Sequence, residues 1–186
     1  MKLATEKLLQ DLLEITRQNL NDVHYLKNKE LAFLNWKQNP ESWSVLECLE
    51  HLNRYGDFYI PEITKRIKNA KHKNAEVFKS NWLGNYFSKM VAYNKEVNKM
   101  KTLKAMNPLN SDLNLATIEK FIAQQHQIIE LLDNAKNVNL DKTKTAISIS
   151  KLIKLKLGDT FRVLIFHNER HVKQAVKTLK KVMTKK

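Results

Sequence analysis

At 186 residues the chain fits one domain of ordinary size, long enough to bury a core without staples. Three Gly and three Pro, with 42% hydrophobic and 28% charged residues, leave little material for the turns of a many-stranded protein and point to long helices, an all-α class. The formal charge is +14, and the one cysteine, Cys48, excludes an intrachain disulfide.

The first helix is predicted over Leu3 to Leu20, where Leu8, Leu9, Leu12, Leu13 and Ile15 recur at helical spacing, with Asn19, Asn21 and Asp22 ending it. This segment carries Glu6, Asp11 and Glu14, unlike the apolar core of a signal peptide, and no apolar run in the chain reaches about 18 residues. A soluble cytoplasmic protein with no membrane partner is expected. Residues 23 to 42 read as a connection with a short helical piece around Glu30 to Trp36, closed by Asn39-Pro40.

Ser42 or Ser44 then caps a second helix, and Glu47, three residues past Ser44, completes a capping box. This helix continues through Val45, Leu49, Leu52, Ile60, Ile63 and Ile67, with a kink expected at Pro61. Residues 72 to 110 are polar and irregular around an amphipathic piece from Trp82 to Phe87. A third helix spans Leu113 to Leu132, residues 134 to 157 form an extended connection, and Gly158 or Asp159 caps a fourth helix running through Phe161, Leu164, Ile165, Val172, Leu179 and Val182. Four main helices with long connections suggest a four-helix bundle, whose exposed flanks would suit a homodimer.

Positive charge concentrates after residue 141. Lys142, Lys144, Lys151, Lys154, Lys156, Lys173, Lys177, Lys180, Lys181, Lys185 and Lys186 face only Asp141, Asp159 and Glu169 as acids. Such a field attracts anions. The cations are mostly lysines scattered over solvated faces, without the arginines and aromatics that share a stripe in nucleic-acid readers, so nucleic acid is not the expected partner.

His167 and His171 are the most informative residues. Four positions apart on a helix, they leave one face together and supply two-thirds of a metal site. On a helical projection both fall on the flank of the apolar stripe, and His51 falls on the flank of the second helix near Cys48 and Tyr55, which makes it the best third ligand. Three imidazoles at the rim of a cleft could hold an ion and leave a position for water or substrate. Glu47 is a weak candidate for general base or acceptor, with the capping box as its competing role, and Gln174 is a candidate polar neighbour of His171. His24, His72 and His126 lie in polar settings without a paired ligand and are expected to face solvent. Cys48, beside Leu49, reads as a small core-edge residue rather than a nucleophile.

Two segments carry a resemblance. The run Leu34 to Leu52, with Trp43-Ser44 leading into a helical His51-Leu52, and the run Leu157-Gly158-Asp159 leading to His167, Arg170-His171 and Gln174, together resemble the DinB-like superfamily. The anchors cover about a quarter of the chain. The resemblance implies a DinB/YfiT-like four-helix bundle with a divalent metal on His51, His167 and His171, with zinc, nickel and iron not distinguished. Characterised relatives include bacillithiol and mycothiol S-transferases, in which the metal lowers the pKa of a low-molecular-weight thiol. That implies a small-molecule substrate or thiol as partner, and a metal-dependent transferase or hydrolase as the activity. A non-catalytic binding protein built on the same bundle and a basic nucleic-acid-associated protein are the alternatives.

Overall fold

The computed structural model describes residues 1–93 and 102–184. Part of the expected 72–110 connection, Lys185, Lys186 and the side chain of Lys151 lie outside what is described.

The first helix, α1, runs Thr5–Lys27, past the expected stop at Asn19 to Asp22. Val23 and Leu26 are both fully buried and continue the apolar stripe by two more turns, which outweighs the weak helix propensity of Asn and Asp. Before it, a strand β1 at Lys2–Ala4 pairs antiparallel with β2 at Val77–Lys79. The short α2 covers Leu31–Leu34, inside the expected piece.

The second long helix, α3, spans Val45–Lys68 and opens on the expected capping box: Ser44 accepts the Glu47 backbone N–H while the Glu47 side chain accepts that of Ser44. The helix passes through Pro61 without ending. The Trp82 piece is a full helix, α4, over Trp82–Val91, capped by the Asn81 side chain. Helix α5 starts at Ala116 rather than at Leu113, because the Asn114 side chain accepts the Ala116 N–H, and it ends at Asn134.

Two expectations are corrected in the last third of the chain. The connection before the final helix contains a hairpin, β3 at Lys144–Ile147 against β4 at Ser150–Lys156, so the chain is mostly helical rather than purely α. The final helix, α6, spans Leu157–Met183, with Lys156 at its cap position instead of Gly158 or Asp159. Asp159 sits in the first turn, fully buried, and accepts hydrogen bonds from Ser80 (2.6 Å) and Arg162 (3.0 Å). Its carboxylate is drawn inward to a buried guanidinium, which no local capping pattern encodes.

Helices α1 and α3 each pack against both α5 and α6, and α4 lies along α6. The apolar stripes meet in two clusters. Leu12, Ile63, Phe78, Ile128 and Phe161 lie in one, and Val23, Leu49, Phe121, Val172 and Leu179 in the other. Each such buried side chain contributes about 1.5–3 kcal/mol against exposure. Cys48 belongs to the second cluster with no exposed surface, and burial, followed by the neighbouring Glu47 carboxylate, pushes its thiol pKa up. Packing of α3 on α6 sets the start of one helix against the middle of the other.

Candidate metal centre

His51 lies two turns into α3, and His167 and His171 stand one turn apart on the facing side of α6. The three rings close a triangle with centroid separations of 5.0 Å (His51 to His167), 4.7 Å (His51 to His171) and 4.7 Å (His167 to His171). One ring nitrogen from each lies within 4.8 Å of the others. His51 is buried and the other two are half-buried. The indole of Trp43, the residue before the capping box, tilts over His51 and His171, and Tyr55, one turn beyond His51, sets its ring edge-on to His51 and His167.

Hydrogen bonds fix which nitrogens are available. Nδ1 of His51 is 2.7 Å from the main-chain carbonyl of Met106, which can only accept, so Nδ1 carries the proton and Nε2 of the neutral ring offers a lone pair. Nδ1 of His171 is paired in the same sense with Oε1 of Gln174 at 2.9 Å. Nε2 of His51 and Nε2 of His167 face one another at 3.2 Å. Two imidazole nitrogens bound to one tetrahedral ion at about 2.0–2.1 Å stand about 3.3–3.4 Å apart, so the pair already has the spacing a shared cation requires.

Electrostatics favour the neutral rings a metal needs. Burial lowers the His51 pKa to about 4, with Arg54 acting in the same direction and the Met106 bond opposing it. Burial lowers His171 to about 3, helped by His51 and Arg170 and opposed by Gln174. His167 is held well below its ordinary value by burial and then by His171, His51 and Arg170. A donor set of three unprotonated imidazoles, two with the second nitrogen already engaged, fits a borderline divalent ion such as zinc, nickel or iron.

The other singled-out residues fall elsewhere. Glu47 is 2% exposed, and its carboxylate accepts the Ser44 N–H (2.8 Å), the Asn110 N–H (2.6 Å) and the Lys37 ammonium (2.6 Å). It is not part of the cleft wall that holds the imidazoles. Gln174 is the neighbour of His171 that the helix spacing suggests. His24, His72 and His126 are exposed. Sequence reasoning missed the Met106 carbonyl, since a main-chain acceptor carries no residue signal. Tyr55, at i+4 from His51 and on the same flank in the sequence reading, meets both His51 and His167.

The model of the DinB superfamily matches residues 12–175, from the middle of α1 to the last turns of α6, and so includes all three histidines. The chain belongs to the DinB superfamily. Comparison with curated proteins and comparison with solved structures each gave no match. In this DinB-superfamily chain no helix among the described residues is long and apolar enough to cross a membrane.

Proposed function

We propose that this DinB-superfamily protein is a metal-dependent enzyme of the thiol S-transferase or hydrolase type, with one divalent ion held by His51, His167 and His171. The observation that carries this reading is the convergence of the three imidazoles with Nδ1 of His51 and of His171 already spoken for by Met106 and Gln174. The packing of α1, α3, α5 and α6 supports the finer description of the fold as a four-helix bundle. A divalent ion in such a site supplies a Lewis acid that lowers the pKa of a bound thiol or water and so provides a nucleophile near neutral pH.

The chain's own residues do the positioning. Met106 and Gln174 hold two ring orientations, while Trp43 and Tyr55 set their aromatic rings against the triangle. The remaining side of the triangle opens on a large cleft where a small-molecule substrate could enter.

Elemental analysis of untagged protein, purified without chelator, tests the site and identifies the metal. Near one metal per chain is expected in the wild type and near none in His51→Ala and His167→Ala, with circular dichroism confirming that the variants are folded. Unchanged metal content in both folded variants would overturn the assignment. Metal-replete protein is then assayed with thiols plus electrophilic acceptors, and with simple esters and amides. Turnover that disappears with the metal supports an enzyme, and inertness across the panel supports a non-catalytic binding protein on the same bundle.

A further inference from the structure

The cleft beside the imidazoles encloses about 950 Å³, far more than three rings and an ion need. One face of α6 runs along it, presenting Leu164, His167, His171, Gln174, Lys177 and Lys181 in turn. At a rise of 1.5 Å per residue, Leu164 and Lys177 are about 20 Å apart along the axis, and the lean of helical side chains toward the N-terminus brings the Lys177 ammonium several Å back toward His171.

The wall changes character along this line. At the Leu164 end it is made by Tyr59, Ile147 and Leu155, all buried, with Phe87 reaching in from α4, and the described residues there carry no charge. Tyr59 has its hydroxyl within hydrogen-bond distance of Ser148, which leaves its ring to the cleft. At the other end the charges are positive. Lys173 is neutralised by Glu169, but Lys181 donates only to the neutral Oε1 of Gln38 (2.6 Å), and among the described residues Lys177 has no hydrogen-bond or ion-pair partner. The one carboxylate on the described lining is the exposed Glu41.

A cavity with an apolar end, a middle that holds the three imidazoles beside Arg170, and two ammonium groups with no carboxylate partner among the described residues matches one shape of ligand. We propose that the cleft binds an amphipathic organic anion, its apolar body among Tyr59, Phe87, Ile147 and Leu164 and its acid group on Lys177 and Lys181. The central atoms of such a ligand lie against His167 and His171, and this last point rests on the reading of the three histidines as the reacting centre. Binding itself requires no metal, because the apolar wall and the lysines belong to the folded chain.

The test uses metal-free full-length protein, with dodecanoate as the anionic probe and dodecan-1-ol as its uncharged counterpart. Binding is followed by calorimetry and by the fluorescence of Trp36 and Trp43, which line the cleft. Dodecanoate is expected to bind about tenfold or more tightly than the alcohol, with the preference weakening as salt rises. K177Q/K181Q should abolish the preference and leave the alcohol unchanged, while K180Q, an exposed lysine of α6 outside the cleft lining, should leave both unchanged. Equal affinity for acid and alcohol in the wild type, no binding of either, a preference that survives in K177Q/K181Q, or an equal loss in K180Q would each overturn the proposal. Metal content of the wild type is scored separately, so failure of the metal site and failure of the anion site give different results.

Discussion

The Nδ1–H of His171 points at Oε1 of Gln174, 2.9 Å away and one turn further along α6. An acceptor at Nδ1 fixes the tautomer and leaves the Nε2 lone pair free, so in the proposed metal site Gln174 would be a positioning residue. Gln174→Ala should weaken metal affinity by about ten- to a hundredfold with little change in stability, and Gln174→Glu should keep or raise it, because a carboxylate is the stronger acceptor. Competition against a chromophoric chelator measures both. Wild-type affinity in Gln174→Ala would show that the ring is oriented by packing under Trp43 alone.

The three depressed histidines make the metal-free protein sensitive to mild acid. The unfolded chain takes up protons at these rings near the ordinary value of 6.5, whereas the folded one holds His51 neutral down to about 4 and His171 down to about 3, with His167 also displaced downward. Across that window the unfolded state binds more protons, so stability rises with pH: the contribution is full above about 6.5 and is lost as pH falls toward the folded values. Urea midpoints of the metal-free protein should therefore drop between about pH 7 and about pH 5.5, before most carboxylates titrate. His51→Phe should make that slope shallower. A slope identical to wild type would mean that His51 is charged, or exposed, in the folded metal-free state.

The helices were legible because burial in this chain follows the 3.6-residue period. Leu49, Ile63, Phe161 and Val172 lie on the predicted apolar stripes, and all four have 0% exposed surface. The flank positions of His51, His167 and His171 were readable for the same reason. What the sequence did not reveal depends on distant partners. The continuation of α1 to Lys27 rests on the cores that receive Val23 and Leu26, the strand at Lys2–Ala4 exists only beside Val77–Lys79, and Asp159 leaves its capping role for Ser80 and Arg162, about eighty residues and three residues away in the chain. Met106 could not be chosen in advance, since any main-chain carbonyl carried there would serve His51 equally.

Asp159 also dictates a glycine. A Cβ built on Gly84 of α4 would stand 2.0 Å from Oδ2 of Asp159, and that carboxylate is fully buried and bound to Ser80 and Arg162, so it cannot retreat without breaking them. Ala is otherwise the better helix former by about 1 kcal/mol. Gly84→Ala should nonetheless destabilise the protein by about 1–3 kcal/mol, as overpacking at a fixed neighbour does. Thermal or urea unfolding gives the answer, and a stabilised variant would show that α4 can lift from α6 at no cost.

Glu47 is the residue for which structure and chemistry make competing claims. Its carboxylate has three donors on it, from Ser44, Asn110 and Lys37, and lies off the cleft wall that holds the imidazoles, so a role in holding the start of α3 accounts for its burial. Glu47→Gln presents an amide N–H to at least one of those donors and should cost about 1–3 kcal/mol. Ser44→Ala removes only the reciprocal half of the box and should cost about 1 kcal/mol. Neither change touches a proposed metal ligand, and metal content should stay at the wild-type level in both. Because Trp43 precedes the box and leans over His51 and His171, a small loss of metal affinity should track the loss of stability in the two variants. Glu47→Gln that unfolds like the wild type but loses turnover would instead assign the carboxylate to proton transfer.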